Sequence, residues 1–96
     1  MSEPAIDLDT VVRLPTGVRL KMDEARDRHV LLAPERALVM DPLGVAILGE
    51  IDGVKSVRNV ISSLAQTYAA DPAVIGKDVA AFLAELADRR MLEIVT

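Results

Sequence analysis

Val30-Leu31-Leu32-Ala33-Pro34-Glu35-Arg36-Ala37-Leu38-Val39-Met40-Asp41-Pro42 contains one reversal of direction and one change of period. Pro34-Glu35 divides an apolar run into two pieces, Arg28 to Ala33 and Arg36 to Met40, each of strand length. So brief a break brings the second piece back antiparallel to the first. At Asp41-Pro42 the pattern becomes helical. Asp41 suits an N-cap, and Pro42 at the first helical position gives up an N–H that would have no partner there. Val45, Leu48 and Ile51, with Ile47, then recur at helical spacing until Asp52-Gly53 ends the helix.

Upstream of this stretch, Val18-Arg19-Leu20-Lys21-Met22 alternates strictly between apolar and basic residues, the period of a half-buried strand. The polar run Asp23 to Asp27 forms a turn into the next strand. Residues 18–40 therefore read as a three-stranded antiparallel meander. Residues 1–16 read as a flexible or extended arm that stops at Pro15-Thr16-Gly17, which leaves 17–96 as a single domain. Downstream, Val57, Val60, Ile61, Leu64 and Tyr68 form the apolar stripe of a second helix opening at Ser56. Asp71-Pro72 repeats the cap-and-proline device for a third helix. Ile75, Val79, Phe82, Leu83 and Leu86 line one face of it as far as about Arg90. Met91 to Val95 is either an apolar tail or a stub of strand. The expected fold is α+β and winged helix-turn-helix-like, an N-terminal antiparallel sheet followed by three helices.

Composition narrows the function. Half the 96 residues are apolar, yet Tyr68 and Phe82 are the only aromatics, so the core must be aliphatic. Without cysteine there is no disulfide, no thiolate metal ligand and no cysteine nucleophile, which suits a reducing cytosol. His29 is the only histidine and has no orienting partner in the pattern, and the five glycines show no phosphate-loop spacing. Neither an active site nor a cofactor is expected. No apolar stretch reaches the roughly 20 residues of a membrane helix. Net charge is −4, with −1 in residues 1–40 (six basic, seven acidic) and −3 in residues 41–96 (five basic, eight acidic). The second and third helices have helix-turn-helix proportions, but Asp78, Glu85 and Asp88 on the third would repel phosphates. A winged-helix DNA-binding regulator is thus the weaker reading.

Arg36-Ala37-Leu38-Val39-Met40 is apolar on both faces and lies at the edge of a meander. An open apolar edge must be covered or used. Either the arm or the tail 91–95 caps it, or a peptide pairs with it as an added strand, with backbone bonds giving affinity and side-chain pockets selectivity.

Arg13-Leu14-Pro15, Gly17-Val18-Arg19-Leu20, the block Val30-Leu31-Leu32-Ala33-Pro34-Glu35-Arg36, Asp52-Gly53 and Leu86-Ala87-Asp88-Arg89 together resemble the pyrroloquinoline quinone (PQQ) biosynthesis protein D family, PqqD. Ile47-Leu48, Asp78-Val79 and Phe82-Leu83 extend the resemblance, which runs from Arg13 to Glu93. His29 stands where the family often has tryptophan, and Arg90-Met91 where glycine commonly precedes the closing leucine. The resemblance implies a RiPP recognition element of winged-helix shape. Such a domain is a cytoplasmic peptide chaperone that binds the ribosomal precursor peptide PqqA and presents it to the radical SAM enzyme PqqE. It also implies that the peptide lies along Arg36, Ala37, Leu38, Val39 and Met40, with Val79, Phe82, Leu83 and Leu86 as the opposite wall.

Overall fold

The structure, a computed structural model, describes residues 6–95. Its elements run β1 (Val12–Arg13), β2 (Arg19–Asp23), β3 (Arg28–Ala33), β4 (Arg36–Met40), α1 (Pro42–Glu50), α2 (Val57–Tyr68), α3 (Pro72–Asp88) and β5 (Glu93–Ile94). β2, β3 and β4 form the expected antiparallel meander in that order, with Leu20 opposite Leu31 and Leu31 opposite Leu38. Strand alternation puts these three leucines on one face. There they pack on an aliphatic core made chiefly of Ile47, Val60, Leu64, Val79, Leu83 and Leu86.

Each helix begins as its sequence dictates. Asp41 accepts from the Gly44 N–H at 2.7 Å, Ser56 from Asn59 at 3.2 Å and Asp71 from Ala73 at 2.9 Å. Between α1 and α2 the Asp52 carboxylate accepts from the N–H groups of Val54 and Lys55, and Gly53 takes φ +79. The Asp-Gly pair is therefore a turn device. α2 buries Val57, Val60, Ile61 and Leu64, but Tyr68, expected in the same stripe, is 51% exposed. Ala69 turns left-handed immediately after it, so the helix ends before that side chain reaches the core. α3 stops at Asp88, two residues short of the expectation, because Arg90 adopts φ +59 and the Met91 N–H returns to the Leu86 carbonyl at 2.9 Å.

The two chain ends depart most from expectation. Residues 1–5 of the expected arm lie outside the described residues. The remainder turns at Asp7–Thr10, where the Thr10 N–H donates to the Asp7 carbonyl at 3.2 Å, and it is packed, with Ile6 against the core. Val12 is 1% exposed and pairs with Ile94, and Arg13 pairs with Glu93, so Met91–Val95 contributes a strand stub and two buried side chains. The carbonyls of Leu8 and Thr10 accept from the N–H groups of Arg58 and Val57, where a helix start leaves donors free. Arm and tail therefore bind each other and α2. Neither covers β4.

Candidate functional site

β4 borders the sheet on one side only, and its pairing register shows what the open side offers. Ala33 and Arg36 face each other across the two-residue turn Pro34-Glu35. A turn of that length makes its flanking residues a hydrogen-bonded pair. Bonded and unbonded pairs alternate along an antiparallel ladder, so Leu31–Leu38 and His29–Met40 are bonded, while Leu32–Ala37 and Val30–Val39 are not. The N–H and C=O groups of Ala37 and Val39 consequently point away from β3 into open space.

Beside this edge lies a hollow of about 340 Å³ lined by Leu38, Val39, Met40, Asp41, Phe82, Glu85 and Leu86. Leu38 and Met40 point to the inner face and are half-buried against the core, whereas Val39 points outward and is 57% exposed. Gly44 sets the floor. A Cβ there would meet Phe82 Cε1 at 3.1 Å, Asp41 Oδ1 at 3.2 Å and Met40 Sδ at 3.3 Å. A methyl there would require the aromatic ring, the carboxylate or the thioether to give way by a few tenths of an ångström. The geometry suits an added strand, with backbone groups at the edge for its main chain and an apolar trough for alternate side chains.

The nine residues expected to hold a peptide are not all placed alike. Leu38, Val39, Met40, Phe82 and Leu86 come together around the hollow. Ala37 is exposed and shares the outer sheet face with Val30 and Leu32. The Arg36 guanidinium donates to the Arg89 carbonyl at 2.9 Å and so joins the start of β4 to the end of α3. Val79 and Leu83 are 0% exposed and Leu86 is 2% exposed, so all three belong to the core, although Leu86 still borders the hollow. Val79 and Leu83 do not line the hollow, because the inner half of the α3 stripe is consumed by packing. Asp41 and Glu85 line the hollow but were not singled out for it. Glu85 has a signal in the sequence, since Asp78, Phe82 and Glu85 follow one another at four- and three-residue steps along one face of α3.

A larger hollow of about 650 Å³ lies between Ile6, Leu8, Val57, Ile61, Ala73 and Gly76, toward the first turns of α2 and α3. It has no strand edge and so offers a peptide backbone no ladder. Among the described residues no cluster of His, Asp or Glu could hold a metal ion, and no helix is long and apolar enough to cross a membrane.

The model of the family described as Coenzyme PQQ synthesis protein D (PqqD) matches residues 28–92. The chain is 44% identical over 92 residues to a PqqA binding protein of Rhizobium meliloti, covering 96% of this chain and 94% of that one. It is 52% identical over 83 residues to the bifunctional coenzyme PQQ synthesis protein C/D of Methylorubrum extorquens. That match takes in 86% of this chain but only 22% of the longer relative. In three dimensions it resembles the solution structure of the PqqD truncation of Methylobacterium extorquens PqqCD, a stand-alone RiPP recognition element. The TM-score is 0.81 at 49% identity, covering 93% of this chain and 95% of the other. Meander, helices and sequence agree: the chain belongs to the PqqD family and has the fold of a RiPP recognition element.

Proposed function

We propose that this domain binds the ribosomal precursor peptide PqqA as an extended strand on the β4 edge and presents it to the radical SAM enzyme PqqE. The observation that carries the reading is the pair of outward-facing backbone positions, Ala37 and Val39, beside the trough of Leu38, Met40, Phe82 and Leu86. An unpaired edge costs little while water solvates it, and it gives a register to any chain that pairs with it. Relatives that carry the name PqqA binding protein support this choice of peptide. With main-chain bonds holding the peptide, the rest of it stays free to reach an enzyme. The domain needs no catalytic group of its own.

The test is a titration of isotopically labelled protein with PqqA, followed by amide shifts. Changes should concentrate in Arg36–Met40 and around Phe82–Leu86, and adding PqqE should broaden the complex without releasing the peptide. Shifts confined to residues 6–16, or to the hollow near Gly76, would overturn strand addition. Release of PqqA on adding PqqE would overturn presentation.

A further inference from the structure

The groove carries opposite charge at its two ends. Beside the start of β4 the surface is lined by Arg36, Arg89 and Arg90, with Glu35 as the only carboxylate. Past the end of β4 the groove runs on between α1 and α3, lined by Asp41, Asp78 and Glu85 with no lysine or arginine. Glu85 answers Arg89 at 3.2 Å, but Asp78 and Arg90 take part in no ion pair among the described residues. A five-residue strand spans roughly 13 Å from first to last Cα at ~3.3 Å per step. Charges that far apart are screened from each other at a Debye length of about 10 Å, yet each acts on whatever lies over it. Between the charged ends the lining is apolar apart from Asp41 and Glu85.

We propose that the groove selects and orients its peptide by this charge polarity. The bound segment places a basic residue over Asp41 and Asp78 and an acidic residue over Arg36 and Arg90. Between them, apolar residues at alternate positions pack on Leu38, Met40, Phe82 and Leu86. This rests on strand addition at β4 and deepens it, because the backbone ladder alone accepts a peptide in either direction. A peptide laid the wrong way sets like charges together at both ends, and that repulsion supplies the discrimination that hydrogen bonds lack.

The test compares Asp78→Lys and Arg90→Glu with two controls, Lys21→Glu on the outer face of β2 and Glu24→Lys in the turn after it. Each is titrated calorimetrically with PqqA at about 50 mM and about 300 mM salt. The groove variants should bind roughly fivefold more weakly at low salt, as expected for a few exposed charge contacts, and the gap should close at high salt. The controls should stay within about twofold of the unaltered protein, in the range of surface charges that touch nothing. A nitroxide beside the basic end of the bound segment should broaden the amides of Asp41 and Asp78. One beside the acidic end should broaden those of Arg36 and Arg90. Equal effects of groove and control variants, or broadening at the opposite ends, would overturn charge selection. Strand addition would still stand if peptide-induced shifts remained in β4 and α3. Loss of those shifts would overturn the strand model beneath it.

Discussion

The Arg36 guanidinium donates to the Arg89 carbonyl at 2.9 Å, across 53 positions of sequence, and ties the first residue of the edge strand to the C-terminal cap of α3. A cation there also meets the negative end of the helix dipole. Strand and helix are the two walls of the groove, so this bond helps fix their spacing. Arg36→Met should lower stability by roughly 0.5–1 kcal/mol, the net contribution of one largely exposed hydrogen bond. Peptide affinity should fall by more than the loss of one charge explains. Paired melting and binding measurements check this, and unchanged binding would make the tie irrelevant to the groove.

Proline substitution separates edge pairing from folding. The Val39 N–H points outward, so Val39→Pro removes no ladder bond and should leave the melting temperature nearly unchanged while abolishing peptide binding. Leu38 pairs with Leu31 and packs inward, so Leu38→Pro breaks a ladder bond and opens the core. That variant should unfold the domain, as judged by circular dichroism. A folded Val39→Pro protein with full affinity would show that the peptide does not add here.

Two glycines of one helix should answer alanine in opposite ways. Gly49 has nothing within 4 Å of its virtual Cβ, so Gly49→Ala should stabilise by about 0.5–1 kcal/mol through helix propensity. At Gly44 the same gain is set against a methyl 3.1 Å from Phe82 and 3.3 Å from the Met40 sulfur. Gly44→Ala should displace the groove floor, move the Met40 methyl resonance and weaken peptide binding. Denaturant midpoints and a methyl spectrum of both variants decide the matter.

Arg90 occupies left-handed backbone at φ +59, which costs a residue with a Cβ roughly 1 kcal/mol relative to glycine. Arg90→Gly should therefore raise the unfolding free energy by about that amount while weakening PqqA binding at low salt. A stability gain with undiminished affinity would separate the two roles assigned to this position.

The acid limb of stability should depend on the turn after α1. The Lys55 ammonium, 2.6 Å from the carboxylate, holds Glu50 below its ordinary pKa, and backbone N–H groups of Lys55 and Val54 do the same for Asp52. Carboxylates lowered in the folded state bind protons more readily when unfolded. Their stabilisation is complete above the ordinary carboxylate range of about 4 and is lost as pH falls through the folded values. Glu50→Gln should flatten this loss by lowering stability at neutral pH and above, the two proteins converging below about pH 3. An unaltered acid limb in urea titrations would place the sensitivity elsewhere.

The sheet, the three helices and their caps could be read from the sequence because each rests on a local signal: alternation in 18–22, the break at Pro34-Glu35, and Asp-Pro at 41 and 71. The edge strand was legible for the same reason. The β1–β5 pairing was not, because two-residue strands 80 positions apart have no period, and Val12 resembles any valine in an extended segment. Nor could the pattern separate the buried Val79, Leu83 and Leu86 from the half-buried Phe82 on the wide stripe of α3. That division depends on where the sheet stops covering the helix, a tertiary fact. The opposed charges of the groove were hidden too, because Asp41 and Asp78 come together only when α1 and α3 meet.

The pairing of Val12 with Ile94 makes the described chain nearly a closed ring, joined by one short two-stranded clasp. A ring of this kind has one natural seam, since β1 and β5 bring two distant parts of the described chain to the same place. Cutting the ring at the Asp23–Asp27 turn and joining the old ends should give a circular permutant with the same groove. The same design fits a domain that occurs at nearly full length as a separate Rhizobium protein and as about a fifth of a longer Methylorubrum chain. The clasp and the groove share no residue, so a change at one leaves the contacts of the other as they are.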